Sequence, residues 1–137
     1  MSVQRFSLAL CRVLLMLAVL LSMTLVQAAD EKVLHSFAGG SGSSSDGRGP
    51  IGGVIFDSAG NLYGATYVGG IHDGGVAFEL LPNGDGGWTE TVIHSFGAGS
   101  DGFGPWDGMV MDSNGNLYGT TEGGGIHGGG TVFEITP

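Results

Sequence analysis

Asp57-Ser58-Ala59-Gly60-Asn61-Leu62-Tyr63-Gly64 returns 55 residues later as Asp112-Ser113-Asn114-Gly115-Asn116-Leu117-Tyr118-Gly119. Carried outward at the same offset, residues 46–82 match residues 101–137 at 22 of 37 positions. A period near 50 residues, built of short apolar runs and glycine turns, marks stacked or radially arranged β units. In each octet an Asp that bonds its own backbone and a Gly free to take positive φ specify a tight hairpin turn. The runs around it read as strands: 53–56 and 62–67 in the first unit, 108–111 and 117–122 in the second. Glycine-rich loops at 69–75 and 123–130 follow, then strands at 76–80 and 131–135. A fourth segment, 88–96, shares Glu-x-Val-x-His-Ser-Phe with residues 31–37. The expected fold is all-β: two four-stranded, kelch-like β-propeller blades, a partial propeller, after an N-terminal signal helix. The strand at 31–37 is then available to complete the last blade and remove a raw sheet edge.

The first 28 residues read as a secretory signal, with Arg5 and Arg12, an apolar run from Val13 to Val26, and Val26-Gln27-Ala28 before the expected cut. Residues 29–137 are then the two-repeat module, exported to the periplasm, the cell surface or the medium, with no stable membrane insertion once the signal is cleaved. Cys11 goes with the signal, leaving the module without cysteine and so without disulfides. Removing Arg5 and Arg12 leaves two basic residues against 13 carboxylates, a net charge of 2 − 13 = −11. That balance argues against nucleic acid as a partner.

Asp-Ser-x-Gly-Asn-Leu-Tyr-Gly-x-Thr at both 57–66 and 112–121, the glycine loops, Val-Phe-Glu-Ile-Thr-Pro at 132–137 and Trp-Thr-Glu-Thr-Val-Ile-His-Ser-Phe at 88–96 together resemble the GloVer tandem repeat, named after Gloeobacter and Verrucomicrobia. The resemblance covers nearly all of the module. It implies an exported, β-propeller-like array with no established activity and no catalytic residues.

Residue chemistry gives few candidates. His72 and His127 sit inside glycine loops, His72 beside Asp73, where propellers build binding sites. Trp88 and Trp106 adjoin loops, and aromatics near acids and amides are the usual means of holding a sugar. His72, Asp73, His127, Trp88 and Trp106 are therefore the expected ligand-contact rim. His35 and His94 read as packed, hydrogen-bonded histidines, and Asp57 and Asp112 as turn residues rather than calcium ligands. No nucleophile, acid/base pair, cofactor cradle or set of three converging metal ligands is legible, so no catalytic, cofactor or metal residue is assigned. The expected function is a non-enzymatic interaction scaffold for a protein or carbohydrate ligand. A lectin-like module is the alternative, and a propeller hydrolase or lyase ranks last. Two blades cannot close a ring, so the chain is expected to form a homo-oligomer or to be part of a longer repeat array.

Overall fold

The computed structural model describes residues 29–39 and 46–137, and the expected signal, residues 1–28, lies outside them. The chain divides into residues 1–32 and a compact unit Val33–Pro137, whose fold follows. Its described residues form nine strands and no helix, hence none long and apolar enough to cross a membrane. The first sheet holds β1 (Arg48–Pro50), β2 (Ile55–Phe56), β3 (Leu62–Val68), β4 (Val76–Pro82) and β5 (Trp88–Ser95). The second holds β6 (Gly102–Pro105), β7 (Val110–Met111), β8 (Leu117–Gly124) and β9 (Val132–Ile135). All strand–strand pairings are antiparallel.

The first strand of each unit is broken into two pieces. β1 pairs with the far end of β3 and β2 with its start, both on the side away from β4. Gly52, at φ 92°, turns the chain between the pieces. β6 and β7 repeat this arrangement along β8. The hairpin turns form as expected. Gly60 and Gly115 take φ of 91° and 90°. Asp57 Oδ1 accepts from the backbone N–H of Ala59 and Asn61 at 2.8 and 2.9 Å, and Asp112 Oδ1 does the same for Asn114 and Asn116.

Strand pairing sorts the residues onto two faces. The front of the first sheet carries Leu62, Phe78 and Leu80, and Leu34, Phe37 and Trp88 pack against them. The back carries Tyr63 and Ala77, which cluster with Phe96, Met109 and Leu117. The second sheet thus lays its front on the back of the first, and these apolar faces hold the unit together. Gly64 belongs here for a packing reason: a Cβ there would lie 2.5 Å from the Phe78 ring, and Gly119 stands in the same relation to Phe133.

One expectation is corrected. The second sheet has no counterpart of β5 among the described residues: β9 pairs with β8 alone, and residues 31–37, expected to complete that sheet, form no strand. Leu34 and Phe37 pack on the front of the first sheet as Ile93 and Phe96 do on that of the second, but residues 88–95 also pair with β4, and residues 31–37 have no such strand pairing. In addition, β5 does not alternate evenly. A register shift between Ala77 and Phe78 pairs Ala77 with His94 but Phe78 with Val92, so Ile93 is the extra residue of a bulge. Ile93 therefore meets the core while Val92 is left exposed.

Candidate functional site

Because β3, β4 and β5 run up and down, the unit has two ends. The turns at 57–61, 83–87 and 112–116 lie at one end, and the loops at 69–75, 96–101 and 125–131 at the other. The expected rim residues are divided between them. His72, Asp73 and His127 are exposed at the loop end. Trp88 starts β5 at the turn end, where it packs on the Leu62–Phe78–Leu80 cluster. Trp106 follows β6 part way along the sheet, 56 % exposed.

At the loop end the backbone is tightly determined. Gly75 N–H bonds Gly69 O at 2.9 Å, and Ser95 Oγ accepts from Ile71 N at 2.8 Å. Asp73 adopts φ 56°, and its carboxylate accepts from Gly69 N at 3.1 Å. Its counterpart Gly128 has φ 76°, so the position selects for the left-handed conformation, and Asp meets that demand by bonding its own loop. Ile71 and Ile126 project from these loops, 53 % and 82 % exposed, beside His72 and His127. Next to this rim His94 Nε2 lies 2.8 Å from Asp101 Oδ2, and His35 Nε2 lies 3.1 Å from Asp46 Oδ2. Each imidazole also meets the following Phe edge-on, at centroid distances of 4.5 Å for His94–Phe96 and 4.6 Å for His35–Phe37. These histidines tie the end of one repeat to the start of the next. Asp46 also accepts from Ala38 N and Gly39 N; burial pulls its carboxyl upward, but these bonds and His35 outweigh that and hold it below its ordinary range.

At the turn end each Asp joins a polar ladder. Tyr63 Oη donates to Glu79 Oε1 at 2.7 Å and lies 3.3 Å from Asp57 Oδ2, which accepts from Asn61 Nδ2 at 2.8 Å. Tyr118, Glu134, Asp112 and Asn116 repeat it at 3.0, 3.2 and 2.9 Å. Burial, and then the bond to Glu79, push the Tyr63 hydroxyl up to about 12. Desolvation alone pulls the Asp57 and Asp112 carboxyls upward, but the donors around each prevail and hold both below the ordinary carboxylate range. Between the two turns lies a cleft of about 470 Å³, lined by Phe56, Asp57, Ser58, Met111, Asp112 and Asn114 among others. Both carboxylates already serve their turns, which leaves the cleft few groups to spend on a cation.

A third grouping joins the repeats directly. Tyr67 Oη donates to the Glu122 carboxylate across the two sheets, and its ring meets Trp106 edge-on at 5.3 Å and 86°. The bond to Glu122 is the main cause that raises the Tyr67 hydroxyl, with desolvation second. Trp106, Thr120, Thr121 and Glu122 line a cleft of about 340 Å³ there. Sequence reading found Trp106 but not Tyr67 or Glu122, which are repeat counterparts of unlike chemistry, a tyrosine at one and a carboxylate at the other. That mismatch at an otherwise matching stretch was the available signal. Glu90 was also missed: its Oε1 is buried without a hydrogen-bond partner among the described residues, and burial first, then Asp46, raises its carboxyl against the pull of His35. Among the described residues no three His, Cys, Asp or Glu side chains converge as a metal site.

No curated protein and no solved structure matches the chain. The model of the Gloeobacter/Verrucomicrobia repeat matches residues 18–137, which takes in both sheets. The chain belongs to the Gloeobacter/Verrucomicrobia repeat family.

Proposed function

We propose that the protein is an exported, non-enzymatic repeat module of β-propeller type, which uses the loop end of its sheets as an interaction surface. The observation that carries this reading is the pair of equivalent loops at 69–75 and 125–131, each a tightly bonded backbone that presents an exposed Ile and His. A rigid loop with an apolar side chain held out in water loses little entropy on binding, which suits recognition of a protein partner. The two antiparallel sheets, packed front to back and each beginning with a broken edge strand, support the blade interpretation. The test is co-sedimentation with isolated cell envelopes of the native host. Retention of the protein, lost on combined Ile71→Ser and Ile126→Ser substitution with the circular dichroism unchanged, supports the reading; equal retention of both proteins contradicts it.

A lectin-like role has one observation of its own. Trp106, Tyr67 and Glu122 place an exposed aromatic face beside a carboxylate in a cleft of about 340 Å³, the combination that stacks a sugar and bonds its hydroxyls. Glycan-array binding that disappears in Trp106→Ala and persists in Trp88→Ala would favour it. An array without signal removes it.

A further inference from the structure

The two repeats carry equivalent residues into opposite surroundings. On the back of the first sheet Ala77 is completely buried and Ile55 packs on the second sheet; their counterparts on the back of the second, Val132 and Val110, are 81 % and 65 % exposed. On the front of the second sheet Met109 is 4 % exposed, whereas its counterpart on the first, Val54, is 53 % exposed. Single exposed apolar residues are ordinary on a protein surface. These occupy the positions that, one repeat along, make the contact between the sheets, so each open face is one half of an interface the chain already forms once.

The strand edges tell the same story independently. β9 has no neighbour on its outer side among the described residues, where β4 has β5. Residues 31–37 carry the β5 motif Glu-x-Val-x-His-Ser-Phe and are not in a strand. An open strand edge and a segment outside any strand that carries the matching sequence are complementary.

We propose that the back of the second sheet receives the front of the first sheet of a second copy of this chain, head to tail. Residues 31–37 of that copy then run along β9 as β5 runs along β4. The β4–β5 register, carried over, sets His35 of the copy opposite Val132 and Val33 opposite Phe133. A groove of about 280 Å³, bordered by Val110, Tyr118, Gly119 and Val132, lies where the copy seats. Such a contact is heterologous, so it closes into a ring or continues as a filament. Asp107 makes it looser than the internal one. Its counterpart Gly52 touches the Gly108 backbone so closely that a Cβ there would lie 2.5 Å from Gly108 N. The proposal rests on the repeat geometry alone and stands or falls separately from any ligand at the loops.

The test is light scattering after size exclusion on the full-length chain, purified as its host processes it, over a hundredfold range of concentration. Wild type is expected to gain mass with concentration, and Asp107→Gly to do so at lower concentration. Val132→Asp and Val54→Asp, both at exposed positions, are each expected to stay monomeric with unchanged circular dichroism; Val132→Lys serves if Val132→Asp fails to fold. Mixed in equal amounts, the two variants still offer one intact front and one intact back, and are expected to form a two-chain species and nothing larger. A wild type that stays monomeric throughout overturns the proposal. So does a mixture without the two-chain species, or an association that Val132→Asp abolishes and Val54→Asp leaves intact, which would mean like faces pairing.

Discussion

The back of the first sheet is covered and the back of the second is open, although 22 of 37 aligned positions are identical. Ala77 is enclosed where Val132 is open, and Leu80 is buried where Ile135 is only half so. The difference teaches that in a repeat fold the motif sets the strand and its faces, while the neighbour decides whether a face is core or surface. Stability should follow that rule position by position.

The largest contrast is expected at the phenylalanines that close each front face. Phe96 is completely buried and meets Phe133 at 4.9 Å, so Phe96→Ala should cost about 3–5 kcal/mol in urea unfolding. Phe37 meets Phe78 at 5.0 Å but is only half-buried, and Phe37→Ala should cost about 1–2 kcal/mol. Equal losses would break the comparison. Next come the glycines beneath the rings. Gly64→Ala drives a methyl to 2.5 Å from the Phe78 ring, which is buried and has nowhere to go, for an expected cost of about 1–3 kcal/mol. Gly119→Ala makes the same clash with Phe133, which is only half-buried and so has more room to give, and should cost about half as much.

The tyrosines sharpen the comparison through pH. With its folded pKa raised to about 12, the Tyr63 hydroxyl contributes stability that is whole below about pH 10, the ordinary tyrosine value, and fades as the pH climbs toward 12. Tyr63→Phe should cost about 1 kcal/mol at neutral pH and flatten that alkaline decline. Tyr118, raised chiefly by its bond to Glu134, sits at the open face, and Tyr118→Phe should show the same sign with a smaller amplitude. The smallest effect is one the repeats share. Asp57 and Asp112 have lowered folded pKa values, so their contribution is present above about pH 4 and is lost as the pH falls through those values. Asp57→Asn and Asp112→Asn should each weaken the acid limb of a thermal-melting profile by a similar amount.

What the sequence made legible is what is local. An Asp, a Gly and an Asn at fixed spacing specify the turn at 57–61 without help from the rest of the chain, and the strands beside it start where the apolar runs start. The break between β1 and β2 was not legible, because it recurs between β6 and β7 with Asp107 in place of Gly52, so no single residue type marks it. The bulge at Ile93 was not legible, because it is a shift in register against β4 rather than a pattern within residues 88–96. Of the candidate site residues, the loop position of His72, Asp73 and His127 followed from the glycines around them. Trp88 stands at the opposite end from them because its place depends on strand direction, and the Tyr67–Glu122 bond spans two sheets and 55 residues.

Hydrogen exchange read by mass spectrometry at low and high protein concentration tests the central claim most directly, because it reports β4 and β9 in the same molecules. At low concentration β9 (Val132–Ile135) should exchange much faster than β4 (Val76–Pro82), and raising the concentration should slow β9 and leave β4 unchanged. Equal protection of the two strands, or a β9 indifferent to concentration, would contradict the account.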